Sequence, residues 1–359
     1  MDIINVLRQA VRNGASDIHF VPRRPPMVRI NGQIMPFKMD PVTPAQLEQA
    51  IFGILRPDQV KAFEERWELD ASLAVPELCR FRVNVLKQIE GTGAVMRVIS
   101  DKIPSPEDIG LGESILQFKD LPRGLVLVTG PTGSGKSTTL ASLIDQINAN
   151  NRVHILTIED PIEYVYTPKK AIVTQREVGG TTHTFNEALR HAMRQDPNVV
   201  LIGEMRDLET ISLAITIAET GHLAFGTLHT TDAAQTVDRI IDVFPSHQQQ
   251  QVRMQLSTTL KGVVCQALLP RADGKGRVAV REVMVCNHAI GNLIREGKTH
   301  QLYTAIETGG KYGMISFDRH LTQMVAAGEI KLEDAMAKAN DPKSLKAQFE
   351  KPAAPAGAR

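Results

Sequence analysis

The chain has 359 residues, a formal net charge of +1 and 42% apolar residues. That length suits two domains at roughly 100–200 residues each, and the near-zero charge gives bulk electrostatics no reason to select nucleic acid or an anionic membrane as the main partner. The three cysteines, Cys79, Cys265 and Cys286, form no C-x-x-C pair, which speaks against a zinc ribbon or a disulfide framework and for reduced thiols in a cytosolic protein. The N-terminus lacks a basic-then-apolar signal pattern, and no apolar run reaches the ~18 residues of a membrane-spanning helix.

Residues 2–13 read as an amphipathic helix with Ile3, Ile4, Leu7, Ala10 and Val11 on one face. Extended segments follow at 17–20, 27–30 and 34–37, punctuated by Pro22, Pro25, Pro26 and the Asn31-Gly32 pair. Thr43 is placed to cap a helix over 43–54 with Pro44 in its first turn. Alternating runs at 67–74 and 79–85, then 93–99, complete a small α+β domain over residues 1–100. Pro104, Pro106, Gly110 and Gly112 mark 101–119 as a linker and as the expected hinge.

The texture then changes. Short, almost wholly apolar runs at 125–128, 154–158, 199–202 and 223–225 alternate with helical patterns. Such runs are strands buried on both faces of a parallel sheet, with crossover helices on either side. The expected fold class is therefore α/β, with a core over 120–275. From about Gln248 the pattern turns mainly helical, with an extended stretch at 277–285. Residues 276–345 read as a mainly helical C-terminal region, and the Pro/Ala-rich 346–359 as a disordered tail.

The stretch Gly130-Pro131-Thr132-Gly133-Ser134-Gly135-Lys136-Ser137 fits G-x-x-x-x-G-K-[ST], with a strand before it and a helix from Thr138 after it. Glycines let the backbone turn tightly and aim its N–H groups at phosphate oxygens. The helix N-terminus adds partial positive charge. Lys136 reaches the β- and γ-phosphates, and Ser137 ligates Mg²⁺. This is the strongest single signal in the chain.

In an open parallel sheet, ligands gather beyond the carboxyl ends of the strands. Glu159, Asp160 and Glu163 follow one run, Glu204, Arg206 and Asp207 a second, and His229 a third. Hydrolysis of a triphosphate needs an acidic group near Mg²⁺ and a group that orients the attacking water. Glu204 takes the place of a Walker-B carboxylate and Glu163 is its companion, with the split of roles open. Asp160, before Pro161, serves equally to start a turn, and Asp207 reads as a helix cap. His229 reads as a γ-phosphate sensor or as a hydrogen-bonded structural histidine. Arg82 and Arg97 have strand spacing; they are arginines for the triphosphate or a solvated strand face. Arg190 and Arg194, four apart, share a helix face, with surface ion pairing the equal alternative.

Taken together, 130–138, Ile158–Glu163, Arg194–Glu209 and Glu219–Thr230 resemble the Walker A, Asp box, Walker B and His box of the secretion-superfamily ATPases. The chain looks specifically like the type IV pilus retraction ATPase family. Ala15-Ser16-Asp17-Ile18-His19, Ile240–Pro245 and Ala289–Glu296 carry the same resemblance, which covers nearly the whole chain. It implies a PAS-like N-terminal domain, a RecA-like core binding ATP and Mg²⁺, and a homo-hexameric ring. It also implies nucleotide between the two domains, with Arg82 and Arg97 approaching it. Further implications are a cytoplasmic protein docked on an inner-membrane platform protein at the pilus base, ATP-driven pilin disassembly, and a possible paralogous retraction ATPase as partner. The family's A-I-R-N-L-I-R-E segment departs here, where Gly291 takes the third position. Extension or type II secretion assembly ATPases are the nearest alternative; they commonly carry a zinc insertion and a longer N-terminus that this sequence lacks. A regulatory nucleotide-binding subunit is the other, against which Lys136, Ser137, Glu163 and Glu204 are all present.

Overall fold

The computed structural model describes residues 1–30, 32–99 and 102–350. Asn31 of the expected turn, the first linker residue, 101, and 351–359 of the expected tail lie outside the described residues. The chain divides into two compact units.

The first unit comprises Met1–Lys102, Pro161–Val165 and Glu177–His183. It opens with α1 (Ile3–Arg12), capped by Asp2, which accepts the Asn5 N–H at 3.0 Å. Then come β1 (Asp17–Phe20), β2 (Met27–Ile30), β3 (Gln33–Pro36), α2 (Pro44–Phe52), α3 (Pro57–Arg66), β4 (Glu68–Val75), β5 (Cys79–Gln88) and β6 (Gly91–Ile99). The expected cap of α2 forms as a full capping box between Thr43 and Gln46. α3 has no counterpart in the sequence reading, because Phe63 is its only fully buried residue and leaves no apolar stripe. The strands form one antiparallel sheet in the order β3-β2-β1-β6-β5-β4, with Leu7, Ile18, Phe20, Phe81 and Met96 in its core.

The second unit takes Ile103–Asp160, Tyr166–Arg176 and the chain from Thr184 onward. It contains α4 (Glu113–Leu116), β7 (Gly124–Thr129), α5 (Lys136–Asn150), β8 (His154–Glu159), β9 (Ile172–Glu177, all but its last residue), α6 (Phe185–Ala192), β10 (Val199–Ile202) and α7 (Leu208–Glu219). After these come β11 (Leu223–Leu228), α8 (Ala233–Asp242), α9 (Ser246–Thr259), β12 (Leu260–Pro270), β13 (Arg277–Val285) and α10 (His288–Arg295). Four short helices close it: α11 (Leu302–Thr308), α12 (Phe317–Ala326), α13 (Leu332–Met336) and α14 (Pro342–Phe349). The seven strands lie in the order β13-β12-β7-β11-β10-β8-β9. The five from β12 to β8 run parallel, and β7, β10 and β11 are buried along their whole length. That burial is why they read as unbroken apolar runs rather than as alternation.

At four places the structure differs from the sequence reading. The expected linker is not free: Leu111, Ile115 and Phe118 are buried, and Arg281 donates to the carbonyls of Ile109 and Gly110, both at 2.8 Å. Residues 103–119 therefore fold as part of the second unit. The expected boundary at 275 falls inside the β12–β13 hairpin, which pairs from Gly262 with Val285 to Pro270 with Arg277. α14 carries ordered chain to Phe349, past the expected tail start at 346. Finally, α6 stops at Ala192, so Arg194 lies in a separate 3₁₀ turn rather than on a helix with Arg190, while Arg190 makes the surface ion pair, with Glu209. Asp196, in the left-handed region at φ 52°, and Pro197 after it end the helical course there.

Candidate nucleotide site

The registers of the parallel strands decide which loops meet. Thr129 of β7 lies opposite Leu228 of β11, Gly226 of β11 opposite Ile202 of β10, and Ile202 opposite Ile158 of β8. The carboxyl ends of these strands thus form one edge. The 130–135 loop leaves it from β7, Glu204 from β10, His229 from β11 and Asp160 from β8. Lys136 and Glu204 belong to the same edge of the sheet, as the sequence reading requires.

The phosphate loop is built on glycine. Gly130, Gly133 and Gly135 have φ of 139°, 79° and 88°, a region closed to most side chains. At Gly130 a Cβ would also stand 2.2 Å from the backbone oxygen of Gln266, so no side chain fits. The Lys136 ammonium turns back to the loop, donating to the carbonyls of Gly130 at 2.8 Å and Pro131 at 3.2 Å. Lys136 starts α5, a 15-residue helix whose first N–H groups follow the loop directly. Pro131, Thr132 and Gly133 are exposed, while Ser137 and Thr138 are half-buried in the first turn. A cradle of backbone donors, a lysine and a helix N-terminus fits a triphosphate.

Past the end of β10, separated from the cradle's strand by β11, Glu204 is held at both oxygens. Arg206 Nη2 donates to Oε2 at 2.7 Å, and His229 Nε2 meets Oε1 at 2.9 Å. The hydrogen bond from Arg206 is the chief cause that holds the Glu204 carboxyl below its ordinary pKa, against partial burial and with help from the charges of Arg206 and His229. The same pair raises Arg206, which also feels Asp160. Backbone bonds fix where Glu204 emerges: Gly203 N–H to Ile158 O at 2.8 Å and Met205 N–H to Thr227 O at 3.0 Å. Gly226 leaves room there for Met205, whose Sδ would lie 2.5 Å from a Cβ at that position and would have to shift for one. The result is an ionised carboxylate that can hold a metal or a water, with a histidine reading one of its oxygens. Ser137 and Glu204 offer the hard oxygen donors that Mg²⁺ takes. Asp207 caps α7, accepting the Thr210 N–H at 2.9 Å.

The family described as "Type II/IV secretion system protein" matches residues 1–274. The chain belongs to that family. Among the relatives of this secretion-family chain is the "Type IV pilus retractation ATPase PilT" of Pseudomonas aeruginosa, 51% identical over 96% of this chain and 100% of that protein. The "Type IV pilus assembly ATPase PilB" of Thermus thermophilus is 34% identical over 77% of this chain, but only 31% of the assembly protein is covered. A solved structure titled "Crystal Structure of the Pilus Retraction Motor PilT and Bound ADP" superposes with a TM-score of 0.91, at 45% identity over 97% of this chain and 99% of that one.

Three of the expected site residues of the secretion-family chain belong to the first unit. Glu163 is exposed, and the backbone beside it is anchored: the Ile162 N–H donates to Glu177 Oε2 at 3.1 Å, and Glu177 is in turn held by Ser72 and by Arg80 at 3.4 Å. Arg82 and Arg97 stand directly opposite each other on β5 and β6, and Arg97 faces Asp17 on β1. Arg97 Nε bonds Asp17 at 2.8 Å. Burial pushes the Asp17 carboxyl up, but hydrogen bonds from Arg97 and Ser16 and the charges of Arg97 and Arg29 hold it below its usual value. The sequence reading named Arg206 without a role and did not name Gln266. The signal for Gln266 was one amide inside the apolar run 263–269, which must find partners when buried.

Proposed function

We propose that this chain hydrolyses ATP to power retraction of type IV pili. The observation that carries the proposal is the single strand edge at which the glycine cradle with Lys136 and the doubly held Glu204 both emerge, on a chain that covers the full length of a named retraction ATPase. The cradle 130–138 binds the phosphates. Ser137 and Glu204 hold Mg²⁺, which would neutralise charge on the phosphate oxygens. Glu204 and Glu163 share the orientation of the attacking water, and His229 senses the γ-phosphate through its bond to Glu204. Arg82 and Arg97 bring positive charge to the phosphates.

Further parts of the proposal concern the assembly. We assign a homo-hexameric ring, a seat on an inner-membrane platform protein at the pilus base, and a paralogous retraction ATPase as a further partner. Among the described residues no helix is long and apolar enough to cross a membrane.

Phosphate release by purified protein tests the chemistry. Lys136→Ala and Glu204→Gln each lower kcat by at least about 100-fold, the order expected when a group stabilising the transition state is removed. Wild-type turnover in either variant removes that residue from the site. Deleting the gene and counting surface pili tests the direction of work. Excess pili with lost twitching fit retraction, whereas bald cells would point to assembly.

A further inference from the structure

β12 lies beside the strand that feeds the phosphate loop, and it outruns that strand. Cys265 is opposite Thr129, the last residue of β7. Gln266 is therefore level with the point where the loop departs. It is 2% exposed, and both ends of its side chain are used. Nε2 donates to the carbonyl of Ser134 at 2.7 Å, inside the loop, and Oε1 accepts from the Thr139 hydroxyl at 2.9 Å, in the first turns of α5. The backbone of the same residue closes against Gly130, and a Cβ at Gly135 would stand 3.2 Å from Gln266 Nε2. One residue of β12 thus touches the first glycine of the loop, its last glycine, the serine between them and the helix that follows.

We propose that Gln266 is a positioning residue for ATP: its amide sets the shape of the phosphate loop, so that the loop N–H groups point at phosphate before nucleotide arrives. It does not reach the reacting atoms itself. The donor end matters for the loop, because the Ser134 carbonyl must be turned outward, toward Nε2, for the neighbouring N–H groups to face inward. The acceptor end braces α5 and has no such consequence. Loss of the Ser134 bond leaves a buried carbonyl unmatched and frees the loop to turn.

The inference rests on the ATPase reading, and the test separates the two. In Gln266→Met, which has a similar shape and no polar atoms, KM for ATP rises about tenfold, the worth of one buried hydrogen bond, while kcat at saturating ATP stays within about twofold. Gln266→Glu keeps the acceptor for Thr139 but can donate to Ser134 only when protonated. Its KM relative to wild type is therefore high at pH 8, where the carboxyl is ionised, and falls as acid protonates it. Thr139→Val, which removes the other bond, leaves KM within about twofold. A wild-type KM in folded Gln266→Met overturns the proposal. If that variant does not fold, a Gln266→Glu to wild-type ratio that stays near one across the pH range, pH 8 included, overturns it equally. Wild-type protein that neither binds nor hydrolyses ATP defeats the underlying reading instead.

Discussion

At the scale of single residues, Glu282 poses the sharpest electrostatic problem in the second unit. It lies on β13 with 1% of its surface exposed, and its Oε1 accepts the N–H of Ala233, the first residue of α8, at 2.8 Å. Burial is the chief cause that pushes its carboxyl up to about 7; the carboxylates of Asp232 and Asp318 add to the rise, and the N–H groups of Ala233 and Phe317 oppose it. The sign follows from proton counts. The unfolded carboxyl loses its proton near 4.5 and the folded one near 7, so between those values the native state holds more protons. Stability from this group is then lost as the pH rises through that window, by an amount on the order of 3 kcal/mol at most. Glu282→Gln keeps an acceptor for Ala233 and removes the ionisation. Its thermal midpoint is expected to exceed wild type at pH 8, with the gap closing toward pH 5. Parallel curves for the two proteins would show that the carboxylate is not strained. The stake is functional as well as structural, because Asp232, which caps α8, ends the short segment that begins at His229.

At the scale of elements, α9 and α10 meet at Gly291. A Cβ there would lie 2.8 Å from the Ser257 carbonyl oxygen of α9. From sequence, Gly291 is only a missing positive charge and a loss of helix propensity worth about 1 kcal/mol against Ala. In the fold it is the residue that lets two helix backbones approach. Two effects compete in Gly291→Ala: the propensity gain of about 1 kcal/mol, and a clash with a backbone atom that has to move, about 1–3 kcal/mol. The clash wins, so the thermal midpoint falls. A raised midpoint would show that the seam yields freely. In Gly291→Arg the loss is larger, so any change in retraction must be compared at equal folded fraction. The same contrast explains what the sequence made legible. β7, β10 and β11 announce themselves because both faces are apolar, and α1 and α2 because their caps and stripes are local. β9, an edge strand reading Ile-Val-Thr-Gln-Arg-Glu, has neither signal. β12 is hidden by Lys261 and Gln266, polar residues that break its apolar run, and the reason for Gln266 is a contact more than 100 residues away. The common edge at which the cradle, Glu204 and His229 emerge was legible because strand ends are. Gln266 was not, because its partners are set by register.

At the scale of the whole molecule, the question is where the chain can bend. Pro104, Pro106, Gly110 and Gly112 suggest a hinge throughout 101–119, but turn-forming residues describe local conformation and not mobility. Arg281, 3% exposed, spends two N–H groups on the carbonyls of Ile109 and Gly110, and burial lowers its own pKa to about 10, so it is held in place at a desolvation cost. Phe118 is buried against Gly262 of β12, where a Cβ would collide with its ring at 2.2 Å. These contacts fasten 109–118 to the second unit. Any relative motion of the units must then be absorbed where the chain passes between them, at 102–103, 160–161, 165–166, 176–177 and 183–184. The crossing at 160–161 separates Asp160 from Glu163, so one short motif supplies charged residues to both units. In Arg281→Met the two carbonyls lose their donors; with Ile109 half-buried and Gly110 exposed, water replaces part of each bond and the loss is about 0.5–1.5 kcal/mol apiece. The expected outcome is a lower thermal midpoint together with faster amide exchange confined to 105–119. Exchange as slow as wild type in that segment would mean that the apolar contacts alone hold it, and would leave Arg281 without a part in confining the hinge.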